Sequence, residues 1–321
     1  MMTNDLIVAV VVTYNRKELL KECLSAVLGQ SRPVSRLVVV DNASTDGTKT
    51  ALEEAGFLAN DRVEYLPLSQ NLGGAGGFYQ GMKHTIETLP SDFIWIMDDD
   101  TIPTLTCLEE LLKAREMIRE KLPESKVSFL ASTVRGMERE PMNMPDIDYR
   151  PGVSGYAQWD EFLAEGLVRI SKATFVSILV SEGAVRSCGL PWYGFFIWGD
   201  DSEYTNRIVK GFGPAYYVAK SLAIHKRKTS GGISIAAETD SRRLRMLWYH
   251  YRNQVILGVA AHGYLNAFRG ALQRIWQNRK AFFSKNFVLK FRAIVWGSCC
   301  GFAAYRSYRA FWATQIRGEG K

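Results

Sequence analysis

The sequence predicts an α/β protein, a mainly parallel sheet with helices on both faces, followed by a helical and basic C-terminal extension. Three observations carry this. Continuous apolar runs rich in β-branched residues alternate with amphipathic helical runs through the first hundred residues, the signature of strands buried on both faces. Polar clusters stand at the ends of those runs, where ligands of open parallel sheets gather. Residues 264–321 hold eleven Lys or Arg against one acid, a net +10 in a chain of net +7, so the remainder carries −3.

The composition allows a large core: 321 residues, 47% hydrophobic and 12% aromatic. The five cysteines (Cys23, Cys107, Cys188, Cys299, Cys300) are odd in number and widely spaced. They form neither a disulfide framework nor a zinc pattern, so a reducing compartment is expected. No basic segment leads a hydrophobic run at the start, so no signal peptide is expected. The longest uncharged run in the tail, 293–305, has 13 residues. A bilayer crossing takes about 20, so no membrane span is expected.

Residues 6–13 (LIVAVVVT) read as the first strand. Asn15 stands three residues before Glu18, which predicts a capping box. Leu19, Leu20, Cys23, Leu24, Val27 and Leu28 then fall on one helical face. Residues 37–40 read as a second strand ending in the turn formers Asp41-Asn42-Ala43-Ser44-Thr45-Asp46-Gly47-Thr48. A helix is expected over about 48–55 and a third short strand over 63–66. Asn71-Leu72-Gly73-Gly74-Ala75-Gly76-Gly77-Phe78 follows. Four glycines in five positions let a backbone approach a ligand closely, and a helix over 79–88 would turn its N-terminus toward an anion. A flexible surface loop is the alternative. The run is neither a dinucleotide fingerprint nor a P-loop, because its place and spacing differ.

Residues 93–97 (FIWIM) form a strand that ends in Asp98-Asp99-Asp100. Carboxylates this close oppose one another's ionisation, and a hard divalent cation removes the conflict. Mg2+ or Mn2+ bound by few protein oxygens usually also holds a substrate diphosphate. A solvated acidic turn is the plain alternative. The Pro-containing stretch 138–155 reads as a long loop near this site. Further on stands Phe196-Ile197-Trp198-Gly199-Asp200-Asp201-Ser202-Glu203-Tyr204, with His225 24 residues after Asp201. The aromatics Trp192, Tyr193, Phe195, Phe196 and Trp198 suit either a core or a sugar platform.

These motifs, in this order and spacing, resemble the family 2, GT-A-type glycosyltransferases over about residues 5–230. The extended glycine run, the full triple Asp and the Trp–Asp-Asp–Tyr segment look most like the bacterial galactofuranosyltransferase branch, from which Gly199 departs as an insertion. The resemblance implies a GT-A fold and a UDP-sugar donor. It places Thr13 and Arg16 near base and phosphates, Asp41 on the uracil edge, and Asn71, Gly73, Gly74, Gly76 and Gly77 around the nucleotide. Asp98, Asp100 and His225 would hold Mn2+ or Mg2+, and Asp99 would face the donor sugar. Asp201 would be the general base, with Trp198, Asp200 and Glu203 on the acceptor. The implied reaction moves galactofuranose from UDP-galactofuranose to a polyprenyl-diphosphate-linked glycan of bacterial surface polysaccharide (O-antigen, capsule or galactan), with inversion. A dTDP-rhamnose-dependent transferase and a catalytically silent glycan-binding scaffold are the rival readings.

The expected organisation is a catalytic domain over 1–240 (nucleotide half about 1–105, acceptor half about 106–240) and a helical region over 241–321. That region mixes Phe268, Leu272, Trp276, Phe283 and Phe291 with Arg269, Arg279, Lys280 and Lys285. Such a pattern fits an anionic membrane surface, here the inner face of the cytoplasmic membrane, or packing on the catalytic domain or in a homo-oligomer. No nucleic-acid-binding motif accompanies the charge, so nucleic acid is not expected.

Overall fold

The computed structural model describes residues 5–152, 154–227 and 234–317. The chain forms β1 (Ile7–Thr13), α1 (Lys17–Leu28), β2 (Arg36–Asp41), α2 (Thr48–Glu54), β3 (Val63–Pro67), α3 (Gly73–Thr88) and β4 (Phe93–Asp98). Next come β5 (Thr101–Pro103), α4 (Cys107–Lys121), β6 (Phe129–Arg135), β7 (Asp146–Ile147), β8 (Leu167–Lys172), β9 (Ile178–Ser181) and α5 (Glu182–Cys188). The remainder is α6 (Asp200–Gly211), β10 (Ala215–His225), α7 (Ser241–Gln277), α8 (Phe287–Phe291) and α9 (Gly297–Arg317).

One mixed sheet runs β3-β2-β1-β4-β9-β6-β10-β8-β7, with β5 added against β10. Strands β3, β2, β1 and β4 are parallel, as are β6 and β10; β9 runs antiparallel between β4 and β6. All seven residues of β1 are buried, as a strand covered on both faces requires. Its two faces feed two cores, Val11 with Leu24 and Trp95 on one side and Val10 with Phe78 and Ile96 on the other. The chain leaves β1 toward β2 and β3, then returns to β1's other flank as β4. The crevice at such a reversal, outside the carboxyl ends of the strands, is where ligands bind. The register sets Thr13 opposite Asp41 and Val12 opposite Asp98 at that end.

Two local expectations are corrected. The capping box at Asn15 does not form: Asn15 adopts φ 55°, and the residue before α1 is Arg16. Asp46 does the work instead, accepting from the Lys17 amide (3.2 Å), the first N–H of α1. Asn15 accepts from the Thr45 amide (2.7 Å) and its own amide donates to Ser44 Oγ (2.9 Å), so the turns after β1 and β2 lock together. The glycine run is not a loop: it is the first turns of α3. A Cβ on Gly77 would lie 2.4 Å from Val12 Cγ1, and one on Gly81 2.4 Å from Val10 Cγ1. These glycines let the helix backbone lie against β1.

The chain divides into two compact units, Met1–Pro191 with Asp201–Ser230, and Trp192–Asp200 with Gly231–Lys321. The sheet belongs to the first. The second takes in the segment before α6 as well as the helices, where a single boundary at 240 is expected from the sequence. In the second unit α7 is broken at Gly263 (φ 77°, ψ 171°), and its two halves fold back on one another through Gly258 and Ala267. The stretch Phe287–Gln315 is helical, and by length and composition alone it is apolar enough to cross a membrane. This differs from the expectation drawn from the uncharged run, because the helical stretch extends past the charges that bound that run, Arg292 and Arg306; Lys290, also within it, is buried and bonded to Ala236 O (2.9 Å) and Ser284 Oγ (2.8 Å).

Candidate active site

The carboxyl end of the sheet brings Thr13, Arg16, Asp41, Asp99, Asp100 and His225 into one unit. The Thr13 hydroxyl donates to Asp99 Oδ2 (2.7 Å). The half-exposed Arg16 reaches Asp99 Oδ1 (3.2 Å) and Asp100 Oδ2 (2.7 Å) with a single nitrogen. Asp99 is 3% exposed, and burial pushes its pKa up to about 6, against the pull of Arg16 and Thr13. Both of its oxygens are engaged within the protein, by Thr13 and Arg16. Burial also pushes Asp100 up, but His225 and Arg16 more than offset this and hold it below the ordinary carboxylate value.

β10 ends at His225, where β5 and the Asp100 turn meet it: His225 pairs with Thr101, and the Lys226 amide donates to Asp100 O. His225 Nδ1 is 2.8 Å from Asn143 Oδ1, and Nε2 is 3.1 Å from Asp100 Oδ1. The Asn143 oxygen accepts from Nδ1, which leaves Nε2 directed at the Asp100 carboxylate: with a proton Nε2 pairs with Asp100, and without one its lone pair faces the carboxylate. Asp100 Oδ1 is buried and has no donor in hydrogen-bond geometry. A divalent cation can take the place of the Nε2 proton between these two atoms. A six-coordinate ion with ligands at about 2.1 Å spaces adjacent donors by about 3.0 Å, close to what this pair shows. Asp100 and His225 thus fit a divalent ion. Asp98 does not join them as expected: among the described residues no three His, Cys, Asp or Glu side chains form a ready cage. β4 ends at Asp98 and the chain turns there, so Asp98 and Asp100 are not successive same-face positions of one strand.

On the nucleotide side, Asp41 Oδ1 accepts from the Ser44 amide (2.8 Å), and the Tyr65 hydroxyl donates a short hydrogen bond to Oδ2. Burial, and then this bond, raise the Tyr65 pKa, so the phenol keeps its proton. Buried Asn42 clamps the start of α3, donating to Gly73 O (2.8 Å) and accepting from the Leu72 amide (2.8 Å). Asn71, expected on the nucleotide, accepts from the Gly73 amide (2.8 Å) in its own turn. Of Gly74, Gly76 and Gly77, only Gly74 has open space where a Cβ would stand. Gly76 and Gly77 pack closely on Leu72 and Val12, with no room for a Cβ. Tyr65, Asn42 and Asn143 are functional-site residues that sequence reasoning missed. Asn42 lay inside a quoted motif but read as a turn former, and nothing in the sequence links Asn143 to a histidine 82 positions on.

Asp201 stands in the first turn of α6. One turn on, Thr205 exchanges hydrogen bonds with Ala173, and Tyr204 meets Phe175, whose ring contacts Phe78 near the start of α3. These contacts place the N-terminal part of α6 at the carboxyl end of the sheet. Glu203, expected on the acceptor, is buried and paired with Arg207 (2.8 Å), which also donates to the Leu190 carbonyl (3.1 Å). It braces α6, which corrects that assignment. Trp198 and Asp200 belong to the second unit, and Asp200 is buried.

Residues 8–119 match the family model described as "Glycosyl transferase family 2". The galactofuranosyltransferase GlfT1 of Mycolicibacterium smegmatis is 40% identical over 208 residues, 64% of this chain and 66% of that protein. GlfT1 of Mycobacterium tuberculosis is 28% identical over 205 residues, 63% of this chain and 64% of its own length. The chain thus spans just under two thirds of these relatives. Among solved structures, GalNAc-T7 with UDP, GalNAc and Mn2+ superposes with TM-score 0.57 at 14% identity, covering 91% of this chain and 57% of that one. S. aureus TarS 1–349 in complex with UDP gives 0.52 at 15%, covering 90% and 75%. These likenesses establish the GT-A fold.

Proposed function

We propose that this chain, which belongs to glycosyl transferase family 2 through residues 8–119, is a metal-dependent inverting galactofuranosyltransferase. The observation that carries the reading is the Asp100–His225 pair, an imidazole nitrogen 3.1 Å from a buried carboxylate oxygen at the carboxyl end of a GT-A sheet. The likeness to the GlfT1 galactofuranosyltransferases supports galactofuranose as the sugar moved, and the motif resemblance implies UDP-galactofuranose as donor and a lipid-linked glycan hydroxyl as acceptor.

Asp100 and His225 would hold Mn2+ or Mg2+. When bound, the ion supplies Lewis-acid stabilisation of the departing diphosphate. Asn143 fixes the imidazole so that Nε2 stays available. Arg16, bridging Asp99 and Asp100, is the cation at hand for donor phosphates, and Asp41 with Tyr65 forms a fixed edge for the base. Gly74 gives the donor its closest approach to the backbone. Asp201 takes the proton of the acceptor hydroxyl as the oxygen attacks the anomeric carbon, a contribution of about 10²–10⁴-fold. Attack opposite the leaving diphosphate inverts that carbon.

The test is a panel of UDP- and dTDP-sugars with Mn2+, followed by nucleoside diphosphate release. Turnover of UDP-galactofuranose is expected; release from dTDP-rhamnose alone would replace this donor. The second unit is the membrane side of the proposal. Residues 241–318 contain 14 Lys or Arg and no acid, and Phe268, Leu272, Trp276, Phe283 and Phe291 are exposed among them. Binding to anionic but not neutral vesicles is expected. Equal flotation with both would remove the electrostatic part.

A further inference from the structure

Within the second unit, the segment ahead of α6 is strained and held from a distance. Phe196 (φ 65°), Trp198 (φ 63°) and Gly199 (φ 97°) all adopt positive φ. A non-glycine residue in that region costs about 1–3 kcal/mol and persists only where its surroundings over-determine it. Here they do. Arg252 Nη2 donates to Gly194 O (2.6 Å) and Phe195 O (2.9 Å). Asn253 Nδ2 reaches the carbonyls of Phe195 (3.0 Å), Ile197 (2.9 Å) and Trp198 (2.7 Å). Arg252 Nε donates to Asn253 Oδ1 (2.9 Å), so the two side chains act as one bracket.

The bracket is built into the helices. The guanidinium lies over the rings of Trp248 (5.1 Å) and Tyr249 (4.9 Å), and the Phe196 ring stacks on Tyr249 at 4.5 Å. Helix α9 presses on α7 at the same level. A Cβ on Gly297 would lie 2.8 Å from Trp248 O, and one on Gly301 2.6 Å from Arg252 O. No acid occurs between Asp240 and Glu319, so backbone carbonyls take the place a carboxylate would fill beside Arg252. Burial draws its pKa down to about 10, which still leaves it charged at neutral pH.

We infer that Arg252 and Asn253 are positioning residues for the transfer step, holding the Trp198–Gly199 turn that delivers Asp200 and Asp201 into α6. The inference rests on the reading of Asp201 as the base. The helical unit then has a role in turnover besides any contact with lipid, since α6 begins where the bracketed segment ends.

The test uses the full chain with UDP-galactofuranose and Mn2+, measuring UDP release to water, calorimetric UDP affinity and melting temperature. Asn253→Asp keeps the shape but sets an acceptor against three carbonyls. Arg252→Lys keeps the charge but loses the planar fork. Asn253→Asp should lower kcat about 10²-fold, the scale of a small misplacement at a reacting group, with KM and UDP affinity within about twofold. Arg252→Lys should fall between it and wild type. Unchanged kcat in both variants overturns the inference. So does a parallel fall of UDP affinity and melting temperature with kcat, or failure of both variants to fold, since each marks a plain structural brace. Asp201→Asn separates the two readings. If it turns over normally while Asn253→Asp is slow, the base assignment falls and the positioning stands. If Asp201→Asn is inactive and Asn253→Asp is normal, the positioning alone falls.

Discussion

The turns after β1 and β2 and the segment before α6 are both irregular backbone, yet they are held in opposite ways. The turns after β1 and β2 are fastened by short polar side chains inside their own motifs. Asn15 holds Thr45, Asp46 holds Lys17 and Thr48, and Asp41 holds Ser44. Such Asx-type bonds are local and restrict few rotatable bonds. The 194–198 carbonyls are held by Arg252 and Asn253, more than fifty positions later, through a buried guanidinium whose cost is borne by a whole helical unit. The turns after β1 and β2 are held by their own motifs, whereas the 194–198 carbonyls are held by α7.

The sharpest way to break this contrast is at Asp201, the proposed base. Asp201→Asn should lower transfer by at least about 10²-fold while UDP affinity in Mn2+ stays within about twofold, because the donor side does not rely on it. Equal losses in both measurements would mean that the two sides are not separable. The donor side is probed next. His225→Ala should remove most of the Mn2+-dependent gain in UDP affinity. Asn143→Ala, which only frees the ring, should cost about 10-fold. Equal affinities for wild type and His225→Ala in Mn2+ would take the ion away from Asp100 and His225.

The same contrast explains what was legible. The alternation of apolar strands and helices, the order of the polar clusters and their meeting at the sheet's carboxyl end could be read directly, because each depends on neighbours in sequence. His225 was found by its interval from Asp201, but its partner Asn143 lay in a proline-containing loop with no periodicity. The capping residue was misassigned because Asn15 has φ 55° and Asp46 caps from the next turn. Glu203 read as a ligand because an acidic residue after Asp200-Asp201 looks functional, whereas its pairing with Arg207, one turn on, is a helix property. Arg252-Asn253 could be noticed as a sequence feature, but not its carbonyl partners, since those come from tertiary packing.

The glycine run gives the smallest effects and the finest discrimination. It read as a ligand-facing loop, and the structure splits it between packing and approach. A methyl at Gly77 would stand 2.4 Å from Val12 Cγ1, with Val12 Cγ2 at 3.3 Å. Val12 is β-branched and stiff at χ1, so the contact cannot be relieved by a simple rotation. Gly77→Ala should therefore destabilise the protein by about 1–3 kcal/mol, the usual cost of overpacking. At about 2–4 °C per kcal/mol this is a clear drop in melting temperature. Gly74→Ala meets nothing within 4 Å, and as a helical position it should gain about 0.5–1 kcal/mol. Its melting temperature should rise slightly while UDP affinity in Mn2+ falls, because the added methyl occupies open space at the start of α3, where the donor is proposed to approach. If Gly74→Ala binds UDP as wild type does, the run serves packing alone, and the fixed turns around Asp41 and Asn42 are left to hold the nucleotide.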